Sequence, residues 1–393
     1  MKNKIFSLDI SKDRVICAAS LINSDDKIES FLVEKRVAFG IEKGRVTDLN
    51  LLSKSIKDCA DSLQEKIDER IYRFYVNLLN KDIKLKEVKG VILLKDTGNK
   101  VVDTEDIDRL IQTSCSLNLN KDEILLHKIK KRFILDDRII PKEPVGLSGH
   151  KLGLELSLVT SPVVDIENIS KAIQNAGFGV KNFVFSGLSK AKVLPHQDRK
   201  FVLIDVGRDL TQLLTFDGEI LEDFKIFDFG YEDLIRRLAE SLAVSFRLAE
   251  ELIETSGSLE PTDRKISVKT DSSYKSIKKR EISDVLCSSL NTILGSLKRK
   301  IPEDLYPEGL VAISGDIVLL EGFLEFAESV FGLPVNMVRV KNLLSYEDSV
   351  VCVGNFGLSL LAREEICRKK VSLSSGLILR FLRKVKSIFQ DYF

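Results

Sequence analysis

Apolar and polar positions along the chain predict two matching β-hairpins. Near the start, Lys4 to Ile10 is mostly apolar, Ser11 to Asp13 is turn-like, and Val15 to Ile22 is apolar again. Because two apolar runs joined by a short polar turn are typical of a hairpin, this segment is predicted to form one, with Asp9 at its tip. A second hairpin is predicted from Phe201 to Phe216.

The two hairpins also match in residue class at their tips. Residues 9–13 read Asp-Ile-Ser-Lys-Asp and residues 205–209 read Asp-Val-Gly-Arg-Asp, which is acid, aliphatic, small, base and acid in both. A long helical pattern follows each hairpin, at Leu49 to Arg70 and at Tyr231 to Thr255. This order favours a duplicated α/β lobe. The alternative is a chance match between two short Asp-containing hairpins.

The chain between the hairpins has a different pattern. Within Ile71 to Thr160, strands are predicted at Val88 to Leu94 and Leu152 to Val159, and a helix at Thr104 to Leu117 with Thr104 as its N-cap. Proline and glycine interrupt the pattern between residues 141 and 149. We therefore predict a small inserted α+β unit.

The composition limits the class of protein. With 393 residues, 44% of them hydrophobic, the chain is long and apolar enough for several packed domains. Its net charge of +1 argues against a protein that coats nucleic acid. No apolar run is long enough to span a membrane, and charges stand where a secretory signal would be apolar, so a cytoplasmic body is expected. The six cysteines and three histidines show no zinc or disulfide spacing.

The last residues form a strongly amphipathic helical pattern after a basic linker at residues 367–376. At about 100° per residue, the apolar side chains fall in one arc: Ile378, Phe381, Leu382, Val385, Ile388, Phe389 and Tyr392. The cations lie opposite this arc or at its edges: Arg380, Arg383, Lys384 and Lys386. Such a helix is predicted to lie in the headgroup plane of an anionic bilayer. The alternative is a terminal helix docked on the protein's own core.

The tips of both hairpins carry residues expected of a phosphate site. A carboxylate beside a tight turn can hold a cation through water while the turn presents backbone N–H groups to phosphate. A third element, Leu310 to Asp316, leads into a helical pattern from Leu319 to Phe331, and its glycine lets the backbone approach a base or ribose. The candidate nucleotide-binding residues are Asp9, Ser11, Lys12, Asp205, Gly207, Arg208, Thr211, Gly315 and Asp316, with Asp9 and Asp205 as the magnesium carboxylates.

Several longer motifs carry a resemblance to a known family. The most specific is Pro144-Val-Gly-Leu-Ser-Gly149, inside the insertion. The others are Lys43-Gly-Arg-Val-Thr-Asp48, Phe133-Ile-Leu-Asp-Asp137, Leu156-Ser-Leu-Val-Thr160, Ala249-Glu-Glu-Leu252, Ile313-Ser-Gly-Asp-Ile-Val-Leu-Leu-Glu-Gly322 and Phe331-Gly-Leu-Pro334. Over nearly its whole length the sequence resembles FtsA, the family of actin-like bacterial cell-division proteins.

The resemblance implies a bilobal, actin-like (ribonuclease H-like) α/β fold with an inserted small α+β subdomain and a C-terminal amphipathic helix. The expected division of the chain is a first lobe at 1–81 and 161–199, the inserted subdomain at 82–160, a second lobe at 200–229 and 304–366, a partner-binding subdomain at 230–303, a basic linker at 367–376 and a membrane-targeting helix at 377–393.

The resemblance also implies a role in cell division. A protein of this family tethers FtsZ filaments, through the FtsZ C-terminal tail, to the inner face of the cytoplasmic membrane at the division site. It recruits later division proteins through the inserted subdomain, self-assembles into filaments and binds anionic lipid, but not nucleic acid. Two alternatives stay open: an active actin-like ATPase that drives polymer turnover, and a pilus-assembly scaffold similar to PilM.

The phosphate motifs depart from the family pattern. Ser11 and Lys12 replace a pair of small residues, and Arg208 and Asp209 stand in a run that is normally rich in glycine. Long side chains there would occupy the nucleotide's space. ATP with magnesium is the implied cofactor, but weak or absent hydrolysis is expected, and the sequence leaves open whether nucleotide is bound. A competing interpretation is that Lys12 and Arg208 bind the phosphates directly.

The expected FtsZ-binding region is rich in basic residues. A helical pattern from Ile282 to Ile301 ends in the candidate contacts Lys298, Arg299 and Lys300. The polar, basic stretch before it, Ser256 to Arg280, is predicted to be a flexible loop. A basic groove would suit an acidic, partly apolar peptide tail. The alternative is a solvated charged face favoured by the helix C-terminus.

Overall fold

The structure is a computed structural model, and it describes residues 3–94, 98–195, 199–269, 274–305 and 309–367. The chain from residue 368 onward, which holds most of the basic linker and the predicted membrane helix, lies outside the described residues. Among the residues described, no helix combines the length and hydrophobicity needed to cross a bilayer.

The described chain is a mixed α/β structure. Its strands are β1 (Asn3–Ile10), β2 (Arg14–Ile22), β3 (Ile28–Val37), β4 (Ile41–Glu42), β5 (Arg45–Val46), β6 (Arg73–Leu78), β7 (Lys84–Leu93), β8 (Lys100–Val101), β9 (Glu123–Leu135), β10 (Arg138–Ile140), β11 (Ser148–Gly149), β12 (Lys151–Pro162), β13 (Gly179–Phe185), β14 (Lys200–Val206), β15 (Thr211–Asp217), β16 (Ile220–Phe227), β17 (Lys265–Lys269), β18 (Tyr274–Lys278), β19 (Leu310–Ser314) and β20 (Val335–Met337). Its α-helices are α1 (Leu49–Ile67), α2 (Thr104–Asn118), α3 (Val163–Asn175), α4 (Ser186–Ala191), α5 (Tyr231–Leu242), α6 (Phe246–Ser256), α7 (Lys279–Lys298), α8 (Phe323–Phe331), α9 (Tyr346–Val351) and α10, whose described part spans 353–367.

Two five-stranded sheets with the same strand order form the two lobes. The first sheet runs β13-β6-β1-β2-β3, and the second runs β20-β19-β14-β15-β16. In the first, β1 is antiparallel to β2 and parallel to β6; in the second, β14 is antiparallel to β15 and parallel to β19. The predicted duplication of an α/β lobe is therefore confirmed, because the two predicted hairpins occupy the same place in each sheet.

Helix α1 shows how the sequence builds the layer that covers the first sheet. Asp48 caps its N-terminus by accepting hydrogen bonds from the N–H groups of Asn50 and Leu51. Buried side chains recur at helical spacing along one face: Leu52, Ile56, Cys59, Ala60 and Leu63. Strand β2 is buried along almost its whole length, because α1 covers one face of the sheet and α10 covers the other.

An apolar core joins the two lobes. Phe185, at the end of β13, packs on Phe224 of β16 with ring centroids 4.7 Å apart. Phe201 and Phe216 of the second sheet stack on each other at the same distance of 4.7 Å. All four rings belong to one buried cluster that also contains residues of the first sheet and of α1. Apolar contacts therefore hold the two lobes together.

A separate four-stranded antiparallel sheet forms the inserted unit. Its order is β10-β9-β12-β7, α2 packs on it, and it has a core of its own. The N-cap of α2 is Asp103 and not the predicted Thr104. The Asp103 carboxylate accepts from the N–H of Asp106 at 2.8 Å, and the Asp106 carboxylate accepts from the N–H of Asp103 at 3.2 Å. This reciprocal capping box fixes the start of the helix.

The predicted single helix from Tyr231 to Thr255 is wrong, because the structure has two helices there. Ala243 adopts a left-handed conformation with φ of 46°, which ends α5. The Ser245 side chain then accepts a hydrogen bond from the N–H of Leu248 and caps α6. The periodic pattern of apolar residues continues across the break because each of the two helices buries an apolar face.

Two further predictions in the second lobe need correction. The stretch predicted as a flexible loop, Ser256 to Arg280, contains the antiparallel hairpin of β17 and β18. The helix predicted from Leu319 begins only at Phe323, because Gly322 before it is left-handed with φ of 79°. A 3₁₀ turn at Asp316–Leu319 occupies the intervening residues.

Candidate functional site

The two hairpin tips and the turn after β19 face one another across a narrow cleft between the lobes. The cavity in this cleft measures about 80 Å³. Among its lining residues are six of the candidate nucleotide residues: Asp9, Ser11, Gly207, Arg208, Gly315 and Asp316. Asp205 and Thr211 are buried in the second sheet behind it. The fold thus brings together candidates from distant parts of the chain.

An ion pair occupies the predicted magnesium carboxylate of the second hairpin. Lys190, in α4 between the lobes, donates from Nζ to both carboxylate oxygens of Asp205, at 2.7 and 2.8 Å. The side-chain amide of Gln212 donates to Oδ2 of Asp205 at 2.7 Å. Asp205 is fully buried and the Lys190 side chain is 16% exposed. Burial lowers the pKa of Lys190, but the charges of Asp205 and Asp9 outweigh it, so the pKa is raised.

The other predicted magnesium carboxylate, Asp9, has a different environment. Its Oδ2 accepts a hydrogen bond from Nδ2 of Asn77 at 3.1 Å. Gly354, in α10, approaches so closely that a Cβ atom there would overlap this oxygen. Burial raises the pKa of Asp9, while Lys190 and the Asn77 hydrogen bond act in the opposite direction. Asp9 is therefore held by an amide donor, with the positive charge of Lys190 nearby.

A second ion pair crosses the cleft from the first hairpin to the turn after β19. Arg14, at the start of β2, donates from Nη1 to Oδ1 of Asp316 at 3.2 Å, and its Nη2 contacts Oδ2 of the same residue. Arg14 also donates to Oδ2 of Asp13, at 2.8 Å from Nε and 2.6 Å from Nη2. The Ser11 hydroxyl donates to Asp13 at 2.8 Å. Burial alone would raise the pKa of Asp13, but Arg14 outweighs it and the pKa is lowered.

The two basic residues that stand in the phosphate turns already have carboxylate partners. Nζ of Lys12 lies 2.7 Å from Oε2 of Glu232, at the start of α5, and 3.3 Å from Oε1 of Glu42. Nη2 of Arg208 lies 2.6 Å from Oε1 of Glu250 on α6. The Lys12–Glu232 pair joins the two lobes, whereas the Arg208 pair lies within the second lobe.

Two glycines shape the turns of the second lobe. Gly315 has φ of +105°, and a Cβ atom there would overlap the carbonyl oxygen of Val206. The N–H of Gly207 donates to the carbonyl oxygen of Leu210 at 2.9 Å, so it closes the hairpin turn. The buried hydroxyl of Thr211 has no hydrogen-bond partner among the described residues.

The donor set of this cleft does not fit a magnesium nucleotide. A cation held through water between Asp9 and Asp205 needs an open face on both carboxylates, but both oxygens of Asp205 bind Lys190. Phosphate oxygens need available cations, but Lys12, Arg14 and Arg208 each contact a carboxylate. The cavity of about 80 Å³ is also well below the roughly 300–1,000 Å³ of small-molecule sites. In this arrangement Lys12, Arg14, Asp205 and Arg208 are each paired with an opposite charge of the chain itself.

Four residues that complete the cleft were not predicted from the sequence: Arg14, Lys190, Gln212 and Glu232. Gln212 directly follows the predicted Thr211, and Arg14 lies two positions after the predicted Lys12, so their position beside the tips is a signal that could have found them. Lys190 and Glu232 carry no such local signal. The fold alone brings α4 and the start of α5 to the hairpin tips.

The remaining candidate contacts lie away from the cleft. At the end of α7, Lys298 donates from Nζ to the carbonyl oxygen of Val330 at 2.7 Å, so it contacts the last turn of α8. Arg299 and Lys300 are exposed. All of the predicted membrane-binding residues, from Ile378 onward, lie outside the described part of the chain.

A larger cavity, of about 560 Å³, lies where α4, the β14–β15 hairpin and α10 meet, and His127 of the inserted sheet also lines it. Nε2 of His127 accepts a hydrogen bond from the N–H of Phe185 at 2.9 Å. Burial lowers the pKa of His127 to about 4. The imidazole is therefore neutral at neutral pH, as an accepting Nε2 requires.

The architecture is an actin-like fold. A PilM–PilN type IV pilus biogenesis complex matches with a TM-score of 0.61 and 13% identity, covering 91% of this chain and 96% of that chain. MreB5 of Spiroplasma citri bound to AMPPNP matches with a TM-score of 0.53 and 13% identity, covering 95% and 99%. These neighbours and the two matching sheets confirm the predicted bilobal actin-like fold.

Sequence comparison finds relatives among the FtsA cell-division proteins. A family model for the SHS2 domain inserted in FtsA matches residues 80–160. Cell division protein FtsA of Neisseria meningitidis is 24% identical over 364 residues, which cover 87% of this chain and 85% of the relative. FtsA of Escherichia coli K12 is 22% identical over 400 residues, covering 95% and 94%. The resemblance to cell division protein FtsA is confirmed.

Proposed function

We propose that this chain is an FtsA-like cell-division protein that tethers FtsZ filaments to the inner face of the cytoplasmic membrane at the division site. In this proposal it assembles into actin-like filaments, and the inserted unit recruits later division proteins. The observation that carries the proposal is an SHS2 insertion at residues 80–160 within a duplicated actin-like body. Relatives named FtsA, matched along most of both chains, support it.

Membrane attachment through residues 377–393 is supported by the apolar arc and the cations of that sequence. Sedimentation with anionic liposomes tests it: the full chain should pellet, and a chain that ends before Gly376 should stay in solution. Phe381→Asp places a charge in the apolar arc and should release the protein. Leu379→Asp, outside the arc, is the matched control and should leave pelleting unchanged. Equal pelleting with and without the helix would remove this part of the proposal.

Binding of the FtsZ tail is proposed for the second lobe near the end of α7. The exposed charges of Arg299 and Lys300 support an acidic peptide as partner, whereas Lys298 contacts α8. A pull-down with the C-terminal peptide of the host's FtsZ tests this step. We expect Lys300→Glu to weaken capture and Lys54→Glu, an exposed charge on α1, to leave it unchanged.

The nucleotide site of this scaffold is proposed to be degenerate, with weak or absent ATPase activity. The ion pairs made by Lys12, Arg14 and Asp205 support this. Phosphate release from Mg-ATP should be at the same background level for the full chain and for Asp205→Asn. Turnover that Asp205→Asn abolishes would support the second candidate function, an active actin-like ATPase that drives polymer turnover.

A pilus-assembly scaffold similar to PilM is the third candidate, favoured by the structural match to the PilM–PilN complex. The inserted SHS2 domain and the sequence relatives support division instead. Capture of the FtsZ tail peptide separates the two, because a pilus scaffold has no reason to bind it.

A further inference from the structure

Apart from Asp9, the charged residues that line the cleft make ion pairs within the chain. We propose that intramolecular ion pairs take the place of nucleotide and divalent cation in this protein and hold the two lobes closed without a ligand. The pairs Lys190–Asp205, Arg14–Asp316 and Lys12–Glu232 are named here the cleft bridges. This inference rests on the degenerate nucleotide site of the proposed function, and it is independent of lipid and FtsZ binding.

Lys190 supplies the positive charge that a cation would bring to the two carboxylates. Its Nζ lies 2.7 and 2.8 Å from the oxygens of Asp205, and its charge also acts on Asp9. Gln212 takes a further acceptor position on Asp205. A magnesium ion would have to displace a buried ammonium, which has no other carboxylate within contact among the described residues. The ammonium group of Lys190 therefore excludes a magnesium ion from Asp205.

Asp316 and Glu232 supply the negative charge that phosphates would bring. Each reaches across the cleft from the second lobe to a base of the first hairpin, Asp316 to Arg14 and Glu232 to Lys12. These four side chains are between 15% and 29% exposed, so each pair is partly shielded from water. A phosphate at these bases would bring further negative charge beside Asp316 and Glu232, so it would compete with both bridges.

A backbone contact adds to the closure. The N–H of Lys43, in the turn between β4 and β5, donates to Oδ2 of Asp209 at 2.6 Å. Asp209 belongs to the turn of the second hairpin, in the run where the family pattern has glycine. The first lobe thus contacts the second hairpin through the Asp209 side chain, which a glycine at this position would lack.

The competing explanation is that the bridges open readily and admit Mg-ATP, which then closes the cleft in their place. The two explanations differ in what nucleotide does to the unmodified chain. If the bridges replace the ligand, nucleotide should neither bind nor change the protection of the cleft. If they are a resting state of a working site, Mg-ATP should bind and protect the cleft further.

The first experiment uses the full chain without any substitution. Binding of a fluorescent ATP analogue with magnesium is titrated to millimolar concentration, and hydrogen exchange of residues 9–16 and 206–211 is measured with and without Mg-ATP. We expect no saturable binding, and strong protection of both segments that nucleotide leaves unchanged. Saturable, magnesium-dependent binding that increases this protection would overturn the inference.

The second experiment tests the bridges as pairs. Arg14→Gln and Asp316→Asn are made singly and together, and the exchange of residues 9–16 and 206–211 is compared with the urea midpoint of the whole chain. We expect each single change to raise exchange in both segments, and the double change to add little to the larger single effect. Additive effects, or unchanged exchange, would contradict a bridge between the lobes.

A matched control is the exposed pair of Lys130 and Glu143 in the inserted unit, where Lys130→Gln should alter neither segment. Failure of this inference is distinguishable from failure of the proposed function. A chain that binds Mg-ATP but still pellets with anionic liposomes and captures the FtsZ peptide loses the bridges and keeps the scaffold role. If the cleft is closed without a ligand but the chain neither pellets with liposomes nor captures the FtsZ peptide, the inference about the bridges holds and the proposed scaffold role fails.

Discussion

Replacing Lys190 by methionine is the sharpest test of the charge arrangement in the cleft. The substitution keeps the length of the side chain but leaves Asp205, which is fully buried, with the amide of Gln212 as its only remaining side-chain donor among the described residues. Removal of one partner of a buried ion pair costs about 3–5 kcal/mol, since the other charge stays buried without compensation. A loss of that size is a large part of the roughly 5–15 kcal/mol by which proteins are stable.

The assay is urea unfolding of the full chain followed by circular dichroism. Lys192→Met is the matched control, because Lys192 lies two residues away and its pair with Glu364, at 2.8 Å, is partly exposed. We expect that control to cost less than about 1 kcal/mol. Adding Asp205→Asn to Lys190→Met removes the buried charge and should recover most of the lost stability. Equal losses from Lys190→Met and Lys192→Met would refute the reasoning.

Two further predictions concern a titrating group and a turn. The folded-state pKa of His127 is about 4, below its ordinary 6.5, so the unfolded chain binds the proton first as the pH falls. The free energy of unfolding should therefore fall by up to about 3 kcal/mol as the pH drops from 6.5 towards 4. Urea midpoints across this range should show the loss, and His127→Gln should make the midpoint less dependent on pH. Gly315→Ala should cost about 3 kcal/mol in thermal unfolding, because φ of +105° and the Val206 carbonyl both oppose a Cβ atom. Gly295→Ala, inside α7 with open space around it, should instead stabilise by roughly 0.5–1 kcal/mol, and equal effects at the two glycines would contradict the argument.

The parts of the fold that could be predicted are those that depend on local patterns of apolar and polar residues. The hairpins of β1–β2 and β14–β15 follow from short apolar runs around polar turns, and matching tips indicated the duplication that the two sheets have. The helix boundaries were harder, because they depend on single residues. Ala243, a good helix former by propensity, is left-handed at the end of α5, where the chain turns so that α6 packs against α5.

The ion pairs of the cleft could not be predicted, because their partners are far apart in the sequence. Arg14 and Asp316 are separated by 302 positions, and no pattern in either segment refers to the other. The unusual residues at the phosphate turns were visible and indicated a degenerate site. The sequence did not show what these residues bind, because a lysine in such a turn can also be a phosphate ligand. The structure shows that Nζ of Lys12 lies 2.7 Å from Oε2 of Glu232.

The burial of the three cleft bridges determines what each contributes. Arg14–Asp316 and Lys12–Glu232 keep 15–29% of each side chain exposed, so water screens them in part and each contributes less than the buried pair to the closure of the lobes. Lys190–Asp205 is the buried one. A buried ion pair adds little net stability over an apolar pair of the same size, but it strongly penalises any arrangement that separates its charges. This pair therefore acts on which lobe arrangement is populated more than on how stable the chain is. Under the proposed function, assembly would then respond to membrane and FtsZ, and not to nucleotide turnover.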